Sequence, residues 1–156
     1  MKLVLTWLAC IVALAGCTRE DMSFSARAQR YQHLSEQQSP ATWVTGSRWT
    51  FIASDKKGAI AGSIVFRVTD EPVKVCIAGN WKKLEIVGNS SLPAHAPAYL
   101  LGGRTLEVLL SSDLCDSYDE FSGDLSDKGF TGTHENSGMF GGQTYGRVYG
   151  ISIGPD

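Results

Sequence analysis

From Trp43 onward, short runs of β-branched and aromatic residues alternate with breaks of glycine, proline or aspartate every eight to twelve residues. That spacing predicts antiparallel β structure. Trp49 to Ala53 reads as a first strand with "SDKKG" as its turn, and Ala59 to Val68 as a second, ended by Asp70, Glu71 and Pro72. Val73 to Ala78 and Trp81 to Val87 flank Gly79-Asn80, a dipeptide suited to the positive φ angles of a two-residue hairpin, and are expected to pair. "GNSSLPAHAPA" reads as a longer loop, because its prolines do not suit a central strand. Tyr99 to Leu101 and Thr105 to Leu110 form the next expected hairpin, around Gly102-Gly103, and "SSDLCDS" follows as a loop. Tyr118 to Leu125 and Phe130 to Glu135 surround "SDKG", with Gly129 placed for a bulged turn, and Gln143 to Ile153 closes the chain as its longest strand.

Eight or nine short strands, with no amphipathic helix of three turns after residue 43, predict an all-β domain. The expected architecture is a small antiparallel meander, a closed or partly closed barrel of about eight strands, with a β-sandwich as the alternative. Closure is preferred because it removes exposed strand edges. In the last strand Tyr145, Arg147, Tyr149, Ile151 and Ile153 alternate with Thr144, Gly146, Val148, Gly150 and Ser152, and glycines along one face permit the bending a barrel needs.

The first residues follow a different pattern. Lys2 is a cationic tip, and Leu3 to Ala13 is an apolar run of signal-peptide length, too short for a membrane span. Leu14, Ala15, Gly16 and Cys17 follow in succession, and this stretch resembles the lipobox of bacterial lipoproteins. The resemblance implies a signal peptide over 1–16 and lipidation (palmitate and related acyl chains) at Cys17, the new N-terminus. Thr18 stands where lipoproteins held at the inner membrane often carry Asp, so the expected location is the cell envelope, lipid-anchored at the outer membrane and facing the periplasm. Two or more acyl chains anchor a domain firmly, each buried methylene contributing about 0.8 kcal/mol. Residues 17–42, polar and rich in Ser, Gln and charge, are expected to be the lipidated N-terminus and a flexible tether, with a helix from Ser25 to Gln38 as an option before Pro40. If flexible, the tether spans roughly 27 Å r.m.s.. Residues 43–156 are then a single β domain.

Loss of Lys2 with the signal peptide takes the formal net charge from −2 to −3. The remaining basic residues are scattered, with no stripe for nucleic acid. Of four cysteines, Cys10 leaves with the signal and Cys17 is consumed by lipid, so Cys76 and Cys115 are expected to form a disulfide in an oxidising compartment.

Catalytic motifs are missing: the sequence holds no Gly-x-Ser-x-Gly elbow, no His-Glu-x-x-His helix, no Walker loop and no dinucleotide fingerprint. His33, His95 and His134 lack the spacing of a zinc site, and neither a metal nor a cofactor is expected. The most distinctive cluster is acidic: Asp113, Asp116, Asp119, Glu120, Asp124 and Asp127, with no base among them. It lacks the alternation of an EF-hand loop and suits a cationic protein partner better than calcium. Met139 and Phe140 sit between glycines in a loop, where an apolar pair has little core to join and is free to contact a partner. The expected role is therefore a non-enzymatic envelope lipoprotein whose barrel binds a protein through these acids and Met139-Phe140. An inhibitor or immunity protein against a wall-degrading enzyme, and a carrier of a small apolar ligand inside the barrel, are the alternatives.

Overall fold

The computed structural model describes residues 24–35, 42–138 and 141–155. The expected signal peptide over 1–16, Cys17 with its lipobox-like stretch, Met139 and Phe140 lie outside the described residues. A helix, α1 (Phe24–Ser35), precedes eight strands: β1 (Ser47–Asp55), β2 (Ile60–Pro72), β3 (Lys82–Ile86), β4 (Ala98–Gly102), β5 (Thr105–Leu109), β6 (Ser117–Ser126), β7 (Gly129–Gly138) and β8 (Gly141–Pro155). They form a closed barrel in chain order. β8 returns antiparallel to β1, from Ser47↔Pro155 to Asp55↔Gly146, so the eight-stranded meander barrel replaces the sandwich alternative.

Period-two alternation decides which side chains fill the barrel. Trp49, Phe51 and Ala53 of β1 point inward and are buried, and they meet Ile64, Phe66 and Val68 of β2. Phe51 stands at the centre, its ring centroid 5.6 Å from Phe66, 5.7 Å from Phe121 and 5.4 Å from Phe130. Trp43, just before β1, lies tilted 5.0 Å from Trp49 and edge to face 5.4 Å from Tyr99, while Leu92 of the long loop joins the same cluster over Gly62. Side chains therefore fill the lumen, as small barrels allow. Gly150 of β8 faces this interior: a Cβ there would lie 2.9 Å from Phe130 Cβ and 3.0 Å from Phe51 Cε1.

A second apolar cluster lies outside the barrel. Ala98 and Leu100 of β4, Leu109 of β5 and Tyr118 of β6 project outward and are buried under Tyr31, Leu34, Ile77 and Trp81. This two-sided burial explains why "AYLL" and "TLEVLL" read as continuous apolar runs rather than clean alternations. Tyr31 of α1 meets Trp81 edge to face at 5.2 Å. The helix end comes so close to β4 that a Cβ on Gly102 would lie 2.0 Å from the Leu34 carbonyl oxygen.

Two local expectations differ from what is found. Val73 to Ala78 is not a strand and makes no hairpin with Trp81 to Val87: β2 runs on to Pro72, and residues 73–81 form a loop in which the Val73 N–H donates to the Trp81 carbonyl at 3.0 Å. The apolar alternation of Val73, Val75 and Ile77 is satisfied by the outer cluster instead of a ladder, and β3 pairs with β2 from Phe66↔Ile86. The segment expected to be a flexible tether contains α1, because Tyr31 and Leu34, three apart on one helix face, bury against the barrel wall. The Cys76–Cys115 disulfide is present, with Cα atoms 5.3 Å apart, and it ties the 73–81 loop to the loop before β6.

Candidate functional site

The wall under α1 holds two carboxylates, Glu107 of β5 and Glu120 of β6, each only 1% exposed. Arg27 Nη2 lies 3.0 Å from Glu120 Oε1, and Arg30 Nη2 donates to Glu107 Oε1. Tyr31 Oη donates to Glu120 Oε2 at 3.1 Å and Ser137 Oγ to Glu120 Oε1 at 2.7 Å. Burial pushes the Glu107 carboxyl up to about 8 against the pull of Arg30, with Glu120 adding to the rise. Burial raises Glu120 as well, opposed by Arg27 and by the hydrogen bonds from Ser137 and Tyr31. Removing one member of such a buried set leaves a polar group without compensation, at a cost of about 3–5 kcal/mol. The set therefore fixes α1 in one register on the wall.

Two histidine–aspartate pairs lie apart from this network. His134, nearly buried, has Nε2 2.7 Å from Asp119 Oδ1, and its ring lies 5.1 Å from Phe121 and 4.9 Å from Tyr145. His95 Nδ1 is 2.8 Å from Asp113 Oδ2 at the surface. Among the described residues no group of three or more metal-ligating side chains converges.

The outer face of β8 is different in kind. Tyr149 is 45% exposed, Ile151 54% and Ile153 48%. Single exposed apolar residues are ordinary, but Tyr149, Ile151 and Ile153 follow one another at period two along one strand, after the cation Arg147, whereas Tyr145 sits in a bulge against His134. Tyr149 is in register with Ile52 of β1 and with Thr131 of β7, both facing outward beside it. Next to Tyr149 a groove of about 610 Å³ runs between the β1–β2 turn and β8, floored by Ile52 and walled by Ile60, Tyr149, Arg147, Lys56 and Lys57. Among the described residues, none of these three cations takes part in an ion pair. The one carboxylate in the lining, Asp55, is occupied in its turn, where Oδ1 accepts the N–H groups of Lys57 and Ala59.

The acids expected to form one docking patch do not do so. Asp113 and Asp116 precede β6, whereas Asp124 and Asp127 lie at its far end, which at the rise of a strand separates Asp116 from Asp124 by roughly 26 Å. Asp119 and Glu120 are consecutive in β6 and so face opposite ways, one to His134 and the other into the contacts of α1. Glu120 is thus corrected from a partner-facing acid to a buried structural one, because outward on β6 means beneath α1. Sequence reasoning missed Glu107, Arg27, Arg30 and the β8 stripe. The signal for the stripe was present: in a barrel crowded with phenylalanine, the face of β8 that carries Gly146 and Gly150 must be the inner one, leaving Tyr149, Ile151 and Ile153 outside. No family model, no curated protein and no solved structure matches this chain, so its fold and surface stand on their own physics.

Proposed function

We propose that this chain is a lipid-anchored protein of the cell envelope, held through Cys17 at the outer membrane, whose non-enzymatic barrel binds a protein partner through the outer face of β8. The observation that carries it is the stripe Tyr149, Ile151 and Ile153, large apolar side chains left in water on one strand. Aromatic and aliphatic side chains of this kind are enriched at the centres of protein interfaces. Position supports the same conclusion. In a closed barrel of eight strands, β4 and β8 are four apart and lie on opposite walls, and α1 covers the β4 wall. The stripe is therefore on the wall opposite the one that α1 covers. A lumen filled around Phe51 favours an exterior surface over an interior ligand.

A benzophenone amino acid placed at Tyr149 or at Ile151 in the full-length chain tests this in intact cells. Irradiation should give a discrete, protease-sensitive adduct from these positions and none from Lys82 on β3. Adducts of equal yield from all three positions, or none that protease degrades, would refute a protein partner at this face.

A further inference from the structure

We infer that the groove beside Tyr149 binds an acidic, extended segment of the protein partner, with carboxylates set against Lys56, Lys57 and Arg147 and an apolar side chain laid over Ile52. This rests on the protein-partner reading of the β8 face and adds the chemistry of what that partner presents. Three observations carry it. The cations border the groove on two sides, Lys56 and Lys57 from the β1–β2 turn and Arg147 from β8. They have no ion-pair partner among the described residues, so their charge is available to a ligand. Between them the surface is apolar, with Ile60 77% exposed and Tyr149 and Ile52 beside it.

The apolar floor chooses among anions. A bare phosphate or a sugar acid would use the cations and leave Ile52 and Ile60 in water, whereas an extended segment with an apolar side chain on the floor and flexible flanking glutamates that reach the rim cations satisfies both. The expected partner chemistry is therefore acidic, the opposite of what the acid-rich segment 113–127 implied.

The test uses the full-length chain in detergent and a fluorescein-labelled pentapeptide alternating glutamate with isoleucine and tyrosine, followed by anisotropy. Binding should weaken at least about tenfold when salt rises from roughly 50 to 500 mM, since exposed charge is screened within a few ångströms at the higher value. It should weaken by a similar factor in the variant Lys56→Glu, Lys57→Glu, Arg147→Glu, and less in the milder Lys57→Gln, Arg147→Gln pair. Both variants change exposed side chains, and a thermal melt matching the parent confirms that each is folded. Equal peptide affinity in parent and charge-reversed chain would overturn the inference. So would tighter binding to vesicles of anionic phospholipid, or to a polysaccharide of uronic acids, than to the peptide. The two readings fail separately: a protein adduct at Tyr149 that persists at full yield in the charge-reversed variant overturns the acidic groove and leaves the partner in place. Loss of any protein adduct in the parent overturns both.

Discussion

Replacing both cysteines of the disulfide, Cys76→Ser with Cys115→Ser, should lower stability by an amount that follows from the loop they close. Their sequence separation is 39, and on the chain-entropy relation a loop of about 40 residues corresponds to about 13 cal/mol/K, or about 4 kcal/mol at 25 °C. For a folded unit of roughly 120 residues the unfolding entropy is about 0.25 kcal/mol/K, so the melting temperature should fall by about 16 °C. The loss should also have an address. Residues 76–115 contain β3, β4 and β5, and β3 meets β4 through only Lys82↔Tyr99 and Lys83↔Ala98, a shorter seam than the others in the barrel. Ile77 and Trp81, packed beneath Tyr31, belong to the same stapled region. Circular dichroism melts of the oxidised parent and the double serine variant measure the first quantity, and hydrogen exchange measures the second. Amides of β3 and of residues 73–81 should lose protection first, while the β1–β8 ladder keeps it and peptide binding at the Tyr149 groove is unchanged. A drop of less than about 5 °C, or a loss of protection spread evenly over all eight strands, would refute the entropic and local account together.

Glu107→Gln should alter how stability depends on pH. The folded protein holds on to the Glu107 proton up to about 8, whereas the unfolded chain releases it near the ordinary 4.5, so this residue's contribution to stability falls as pH rises between those values. Melts at pH 5, 6.5 and 8 should therefore show the variant gaining on the parent toward pH 8, and parallel profiles would contradict the assignment. Gly150→Ala should destabilise by about 1–3 kcal/mol in urea titrations, because the new methyl meets Phe130 and Phe51 at 2.9 and 3.0 Å in a filled interior. Tyr149→Ser with Ile151→Ser should leave unfolding within about 0.5 kcal/mol of the parent while reducing retention on a hydrophobic-interaction column; a large loss of stability would mean that the stripe is structural.

Much of the barrel was legible before any coordinates. The turns "SDKKG", Gly102-Gly103 and "SDKG" fell where strands reverse, because each break combines positive-φ or turn-forming residues with flanking apolar alternation. The Cys76–Cys115 pairing followed from counting. Gly79-Asn80 misled because hairpin chemistry is local, whereas the fate of Val73, Val75 and Ile77 was decided by Tyr31 and Trp81 on an outer wall. The acids misled for a related reason. Closeness in sequence within a strand places neighbours on opposite faces, so Asp119 and Glu120 went to different environments. Which wall a helix covers is a tertiary fact, and Glu107 carries no sequence mark of it beyond standing between Leu106 and Val108, outward where water would be expected.

The strand that seals the barrel is also the strand that displays the stripe. β8 holds ladders on both sides, to β1 and to β7, and the spacing of Tyr149 from Ile52 and Thr131 exists only when both ladders are made. A chain in which β8 has not seated has two raw edges, β1 and β7, and no assembled apolar face. Recognition of the kind proposed would therefore depend on closure. A partner that bound this face would also read whether the barrel is finished, and an incompletely folded copy, however abundant, would be invisible to it.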